Sequence, residues 1–534
     1  MFLKWLSRRA PGAAPGSDPL QQARAARTRG DYDAARDACM EVLRESPQGQ
    51  ADAMALLGAI AADQGQLENG LEWVRRALAA DRNCVAAHFA RGLLLEGAER
   101  IPEAEASYRQ VTMLDPTHAK AHTNLGCMLH LQERLPEAVA CYRRALALEP
   151  GQPEALRNYA LIAGSVEQLG EAVAGFESHL ARQPGDAWAH YQLAHLHLRL
   201  GQPERALGGY DRAIALQPEQ ADFHFARAQV LLLLGRYPEG WREYEWRWRM
   251  DRFNGPMRRF SQPRWDGRPL ENGTLLVHGE TGLGDTLQFV RYAALAAARG
   301  VRVVVECQPA LTTLVAGVEG VAQAVSQGEP LPPFDAHLPL IAFPGLFETT
   351  IDTIPWRGPY VRPDPLRERE WAALVAGSRP LRRKVGIVWT GNPQNRGNRE
   401  RSVTLQQLAP LTQAGEITFF SLQKGVAAQE RGPVPEGMHF VDLTPQIRDF
   451  VDTAALMAQL DGVVAVDTSV LHLAGAMGRR TWALVPYSPD WRYHAGRRDN
   501  PWYPTMQLFR QETDGDWSAP LEALRKDLAA WAGQ

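Results

Sequence analysis

Three short stretches of this 534-residue chain carry residue types suited to group transfer on a phosphate-bearing substrate. The first is Gly282-Leu283-Gly284-Asp285, between the apolar run TLLVHGE and a helical pattern. Glycines let the backbone approach a ligand closely, and the N–H groups of a helix start attract anions. Leu287 stands where a GxGxxG dinucleotide fingerprint needs its third glycine, and the GK[ST] ending of a phosphate loop is missing. Asp285 reads either as a helix cap or as a general base that takes the proton of an acceptor hydroxyl. Gln288 and Arg291 follow one turn apart on the same helix and either line a cleft with Asp285 or, for Arg291, form a surface cation.

The second stretch is Asp467-Thr468-Ser469-Val470-Leu471-His472, after the buried run DGVVAV. Here Thr468 and Ser469 are plain N-caps and His472 a packed residue, or the turn holds a phosphate on a helix N-terminus. In the second case neutral His472 donates one hydrogen bond to a diphosphate oxygen. The third is Trp389-Thr390-Gly391-Asn392 with the loop NRGNRERS, whose Arg396, Arg399 and Arg401 are either solvated or cations at the carboxyl edge of a sheet, where open α/β sheets bind ligands. Lys424, in Gln423-Lys424-Gly425, ends the next strand at the same edge. The tail segment Ser488–Thr505 packs Trp491, Arg492, Trp502 and Tyr503 into an ordered loop near this cleft.

Such residues need strands and helices to hold them. Strand, glycine turn, helix and strand (TLLVHGE, TGLGDTLQFVRYAALAAARG, VRVVVECQ) make a βαβ unit and a parallel sheet. A second block starts at Lys384: KVGIVWTG, TLQQLAPLTQAG as a helix, ITFFSLQKG, the helix RDFVDTAALMAQL, DGVVAVD and RTWALVP. Two α/β halves are therefore expected, at 273–370 and 371–534, split near the Pro- and Arg-rich stretch 359–380. The segment 249–272, rich in Arg, Pro, Gly and Trp, reads as a connector.

Upstream, Pro116, Pro150, Pro184 and Pro218 recur every 34 residues, with Tyr108, Tyr142, Phe176, Tyr210 and Tyr244 and with Ala104, Ala138, Ala172 and Ala206 at the same interval. Each period holds two helical patterns and a polar turn; Gly126 and Ala138 allow close approach, an aromatic fills the groove, and proline ends the second helix. This pattern resembles the tetratricopeptide repeat, with about seven units over 17–248 stacked into one all-α superhelix. The resemblance implies a groove for a protein or peptide partner, or a scaffold for the second half. His195 and His197 lie two apart on a helix, which suits repeat packing and no two-ligand metal site. Asp31–Asp33 reads as a helix-start turn.

Composition excludes some classes. A net charge of −3 argues against nucleic acid. No apolar run reaches the ~20 residues of a membrane-spanning helix. Five scattered cysteines without CxxC imply neither a disulfide framework nor a zinc site, and point to a reducing cytoplasm. Residues 1–16 lack the apolar stretch of a secretory signal and read as a flexible leader, with weak membrane-surface contact through Phe2, Leu3, Trp5 and Leu6 as the alternative.

Taken together, HGETGLGDTLQFVRYA, DTSVLHLAGAMG and DWRY…NPWYPTMQLFRQ resemble the glycosyltransferase domain that follows tetratricopeptide repeats in many bacterial proteins. That domain is related to the lipopolysaccharide heptosyltransferases and similar in layout to repeat-bearing O-GlcNAc transferases. The resemblance implies a GT-B fold of two Rossmann-like lobes, a nucleotide-diphosphate sugar as co-substrate, no metal and no other cofactor. It assigns Asp285 as the base, and Asp467, Thr468 and His472 to the donor diphosphate. Ser469 stands in place of the family's glycine. No lysine aligns with the family's catalytic lysine, so Arg399 or Arg401 would serve; Thr281 follows Glu280 where relatives often read Glu-Gln-Gly. With Gly282, Gly284, Thr390, Asn392 and Lys424 completing the donor side, the expected reaction moves a sugar to a hydroxyl, on a protein presented by the repeats. The alternatives are a repeat scaffold with a degenerate nucleotide-sugar domain, and transfer to a glycolipid or polysaccharide precursor.

Overall fold

Each proline that ends a repeat also sets the backbone before it. The helices Ile101–Leu114 and Leu135–Leu148 stop two residues short of Pro116 and Pro150, and Asp115 and Glu149 leave the helical region at ψ 91° and 84°. The proline ring clashes with an α-helical residue before it, so the helix cannot run on. The glycine–aromatic spacing packs the pairs: a Cβ on Gly92 would lie 2.4 Å from the Tyr108 ring, and one on Gly126 2.6 Å from that of Tyr142. Tyr108, Tyr142 and Tyr210 are fully buried, as are Ala104, Ala138 and Ala206.

The computed structural model describes residues 18–45, 49–164, 166–250, 260–280, 282–393, 398–425 and 431–534. The leader 1–16, Thr281, Arg396 and part of the connector lie outside the described residues. Seven helix pairs are found among the described residues, from Pro19–Thr28 with Tyr32–Glu45 to Ala221–Leu233 with Tyr237–Tyr244. The chain divides into two compact units, residues 1–192 and 193–534. None of the described helices is long and apolar enough to cross a membrane.

The described residues of the first unit form helices and the turns that join them. Asp31 starts the second helix of the first pair by accepting the Ala34 N–H at 3.2 Å, as its helix-start reading requires. The second unit begins with the last repeats. His195 packs edge-on to Tyr210 and bonds its hydroxyl at 3.0 Å, and His197 bonds Gln202, so both serve repeat packing. The departure from the period at EWRWR is a 3-10 turn, Glu245–Arg249.

Two parallel sheets follow. The first contains β1 (Thr274–His278), β2 (Arg302–Cys307), β3 (Val321–Ser326) and β4 (Ala336–Pro339), in the order β3-β2-β1-β4. The second contains β5 (Arg383–Val388), β6 (Ile417–Ser421), β7 (Phe440–Val441), β8 (Gly462–Val466), β9 (Thr481–Val485) and β10 (Met506–Arg510), in the order β10-β9-β8-β5-β6-β7. The central strands β5 and β8 pair Ile387 with Val464, and both are buried toward their carboxyl ends. Near-continuous apolar runs are what strands covered on both faces require.

Three expectations need correction. The long helix after β1 is broken into Leu283–Phe289, a 3-10 turn at Val290–Tyr292, and Ala293–Ala297. TLQQLAPLTQAG is a 3-10 helix, Gln406–Gln413, with Pro410 inside it; proline lacks the N–H that an α-helix interior needs. A boundary at 370/371 cuts the helix Pro365–Gly377, which Asp364 caps and which packs on the helix Phe450–Ala458. Trp371 and Arg367 both donate to the buried Asp452 carboxylate, so this helix goes with the six-stranded sheet.

Candidate active site

The carboxyl ends of β1, β5, β6 and β8 open on one cleft of about 1140 Å³ within the second unit. Gly282, Gly284, Asp285, Thr390, Asn392, Arg401, Lys424, Asp467, Thr468, Ser469 and His472 all line it. Arg399 does not; it is exposed on the short helix Asn398–Arg401.

The turns after β1 and β8 touch directly. A Cβ on Gly284 would sit 2.7 Å from Cδ2 of His472, so the imidazole occupies the space that only glycine leaves. His472 is buried, and its Nδ1 bonds the Tyr503 hydroxyl at 3.0 Å. Its Nε2 lies 3.9 Å from Asp467. Burial, and next the positive charge of Arg492, push its pKa down to about 3, so the ring is neutral at neutral pH.

Asp285 does not cap its helix in the simple sense. The N-cap is Gly282, and the Asp285 carboxylate accepts an ion-paired hydrogen bond from Arg492. Burial raises the Asp285 pKa; Arg492 opposes this, while Glu280, Asp490 and Asp467 reinforce it. Arg492 is the hub of this corner: it also donates to Gln288 at 2.7 Å and Asp490 at 2.9 Å, and stacks 4.2 Å over Trp491. The tail loop is ordered as expected, with Trp491, Trp502 and Tyr503 buried. Arg291 is neither a cleft residue nor a surface cation. It is buried between the Tyr360 and Tyr503 rings and donates to Gln288, Trp502 and Tyr360.

At the β8 turn, Asp467 accepts from the Tyr493 hydroxyl and lies 3.6 Å from Arg401. Arg401 crosses Gly391, where a Cβ would meet its guanidinium at 2.8 Å. Thr468 is the N-cap of Ser469–Ala476, yet its side chain makes no capping bond. Its Oγ1 is buried and has no hydrogen-bond partner among the described residues. A buried hydroxyl left unpaired costs ~1–3 kcal/mol, which a ligand acceptor would offset. Thr390 is held by Asn398 and Ser402, and Lys424 donates to the Ile447 carbonyl from the cleft rim.

Sequence reading missed Asp490 and the Arg492–Asp285 and Tyr493–Asp467 pairings; these join residues far apart in the chain, and no local spacing signals them. The neighbourhood DWRY, crowded with polar and aromatic residues, was the one visible hint.

Comparison with known proteins finds family matches in the repeat region and in part of the α/β region. Residues 20–83 and 191–244 match one tetratricopeptide-repeat family profile, and 119–152 another. The Protein FlbA of Caulobacter vibrioides is 26% identical over 320 residues, 56% of this chain and 53% of that protein, so the chain matches about half the length of this relative. Among solved structures, a tetratricopeptide repeat protein from Parabacteroides merdae is 16% identical with a TM-score of 0.32, covering 42% of this chain and 90% of its own. YrrB, described as a TPR protein with an unusual peptide-binding site, is 22% identical with a TM-score of 0.31, covering 36% and 99%. Residues 407–511, which include Lys424, the β8 turn and Arg492, match glycosyltransferase family 9 (heptosyltransferase).

Proposed function

We propose that the second unit transfers a glycosyl group from a nucleotide-diphosphate sugar to a hydroxyl, on a GT-B arrangement of the two sheets. The observation that carries this reading is the buried, unpaired Thr468 hydroxyl at a helix N-terminus that lines the cleft. A diphosphate there would accept from Thr468, from the first N–H groups of Ser469–Ala476, and from His472 Nε2–H, with Tyr503 as donor to Nδ1. Arg401 and Lys424 add positive charge on the same wall.

Asp285, from the other sheet, is the base. The acceptor oxygen attacks the anomeric carbon, its proton passes to the Asp285 carboxylate, and the carbon–oxygen bond to the diphosphate breaks. Negative charge grows on the leaving group, where fixed donors stabilise it best. Burial raises the basicity of Asp285, while Arg492 keeps it ionised and aimed. We assign a protein hydroxyl, presented by the repeats in the cytoplasm, as acceptor.

The test is release of nucleoside diphosphate from nucleotide sugars by the full chain, with and without magnesium. Turnover that falls ~10²–10⁴-fold in Asp285→Asn is expected. A chain that binds the nucleotide but never turns over, with any acceptor, would contradict transferase chemistry and favour a sensor.

A further inference from the structure

We infer that Arg247, at the end of the last repeat, is a positioning residue for the Asp285 site and acts through Glu280. This rests on the transferase reading above. Arg247 belongs to the 3-10 turn Glu245–Arg249, 33 residues before Glu280, and both side chains are buried. Its guanidinium grips Glu280 with two bonds, Nε to Oε2 at 3.2 Å and Nη2 to Oε1 at 3.0 Å. The remaining Nη1 donates to the Tyr244 carbonyl and to Glu245, and the group lies 4.5 Å over the Trp248 ring. Two of these bonds thus hold the Glu280 carboxylate, and two hold the guanidinium to the repeat end.

Glu280 sits two residues past β1 and two before the N-cap Gly282, on the segment that delivers Asp285. That segment is pinned at its other side by Gly279 N–H to the Glu306 carbonyl at 2.7 Å and Gln327 to the Gly279 carbonyl at 3.1 Å. Glu280 also acts electrostatically, being one of the negative charges that hold the Asp285 pKa up. The other charged and titratable groups acting on Asp285 are Arg492 and Asp490 from the tail loop, Asp467 from the β8 turn and Tyr244 from the last repeat, while His472 packs on the neighbouring Gly284. Arg247 holds Glu280 in place without touching the cleft, so it fixes the position of a charge that acts on the base. A buried pair retained only for stability would do neither.

The experiment is the pH profile of turnover for the full chain and four variants, with nucleoside diphosphate affinity measured alongside. Glu280→Gln leaves the Arg247 charge unopposed near Asp285, so the acid limb of kcat should move to lower pH by roughly half a unit or more. Arg247→Lys keeps the charge but loses the two-pronged grip. Its limb should stay in place while kcat falls about tenfold, with nucleotide affinity unchanged. The double variant Arg247→Met with Glu280→Gln removes the unopposed positive charge as well, so its limb should lie nearer the wild-type position than that of Glu280→Gln. Should that double variant fail to fold, Glu280→Gln and Arg247→Lys still decide. An unmoved limb in Glu280→Gln, or a kcat loss in Arg247→Lys that merely tracks the folded fraction, overturns the inference. Asp285→Asn is the control that identifies the limb with Asp285. A wild-type chain that never turns over overturns the transferase reading, and this inference falls with it.

Discussion

The Thr468 hydroxyl separates a structural from a functional account by the sign of one substitution. In Thr468→Val the shape is kept and an unpaired buried hydroxyl is removed, so unfolding free energy in urea should be unchanged or higher. Affinity for a nucleoside diphosphate, read by calorimetry, should fall about tenfold, the loss of one hydrogen bond to a charged acceptor. Lower stability with unchanged affinity would make Thr468 a packing residue. This residue was legible in the sequence because strand, Asp-Thr-Ser and helix lie in one short run. Arg492 was legible only as a neighbour of the cleft. Its bond to Asp285 spans 207 residues, a pairing that topology and not spacing creates. Arg291 misled for the same reason: nothing near it in sequence shows that the aromatic rings of Tyr360 and Tyr503 would enclose it.

Among elements, glycines fix how closely two helices or two turns approach. Gly284→Ala places a methyl 2.7 Å from the His472 ring. The ring must move, at a cost of ~1–3 kcal/mol in overpacking, and nucleotide affinity should fall with it. Gly126→Ala makes a similar clash with Tyr142 in the first unit, which contributes no residue to the cleft lining. Its cost in urea unfolding should be of the same size while nucleotide affinity stays put. The 34-residue period made the helix pairs readable, since each period repeats one packing problem with one glycine or alanine and one aromatic. The strands β1, β2, β5, β6, β8 and β9 were equally plain as β-branched or apolar runs. The strands β3, β4, β7 and β10 were not, being short, part-exposed or set among prolines. Pro410 was visible, but that Gln406–Gln413 is a 3-10 helix packed on the helix Ser518–Ala532 was not.

On the scale of the whole molecule, burial of histidines makes the second unit sensitive to acid. His195 and His494 have pKa values lowered to about 4 and His472 to about 3, each chiefly by burial. In the unfolded chain a histidine takes up its proton near ~6.5. Between those values the unfolded state binds more protons, so stability falls as pH drops below ~6.5. Each histidine contributes ~1.4 kcal/mol per pH unit over its window. His337 is lowered by burial as well, while Asp285, with its pKa raised, acts with the opposite sign. Urea unfolding at pH 7 and pH 5 should show the loss, and His494→Gln should lessen it; equal stability at both values would contradict the burial argument.

The helical repeats and the parallel α/β region after them were legible in the period and the apolar runs, but the meeting of the β1 and β8 turns, on which the proposed chemistry depends, is a property of the folded second unit. That meeting is best tested by binding. Calorimetry of the full chain against UDP, ADP and GDP, with and without magnesium, should find one diphosphate that binds whether or not the metal is present, and that Thr468→Val binds more weakly. At ~100 times its dissociation constant that ligand should stabilise the protein by about 2.7 kcal/mol. Failure of a well-folded chain to bind any of the three would contradict the assignment of this cleft to a nucleotide sugar.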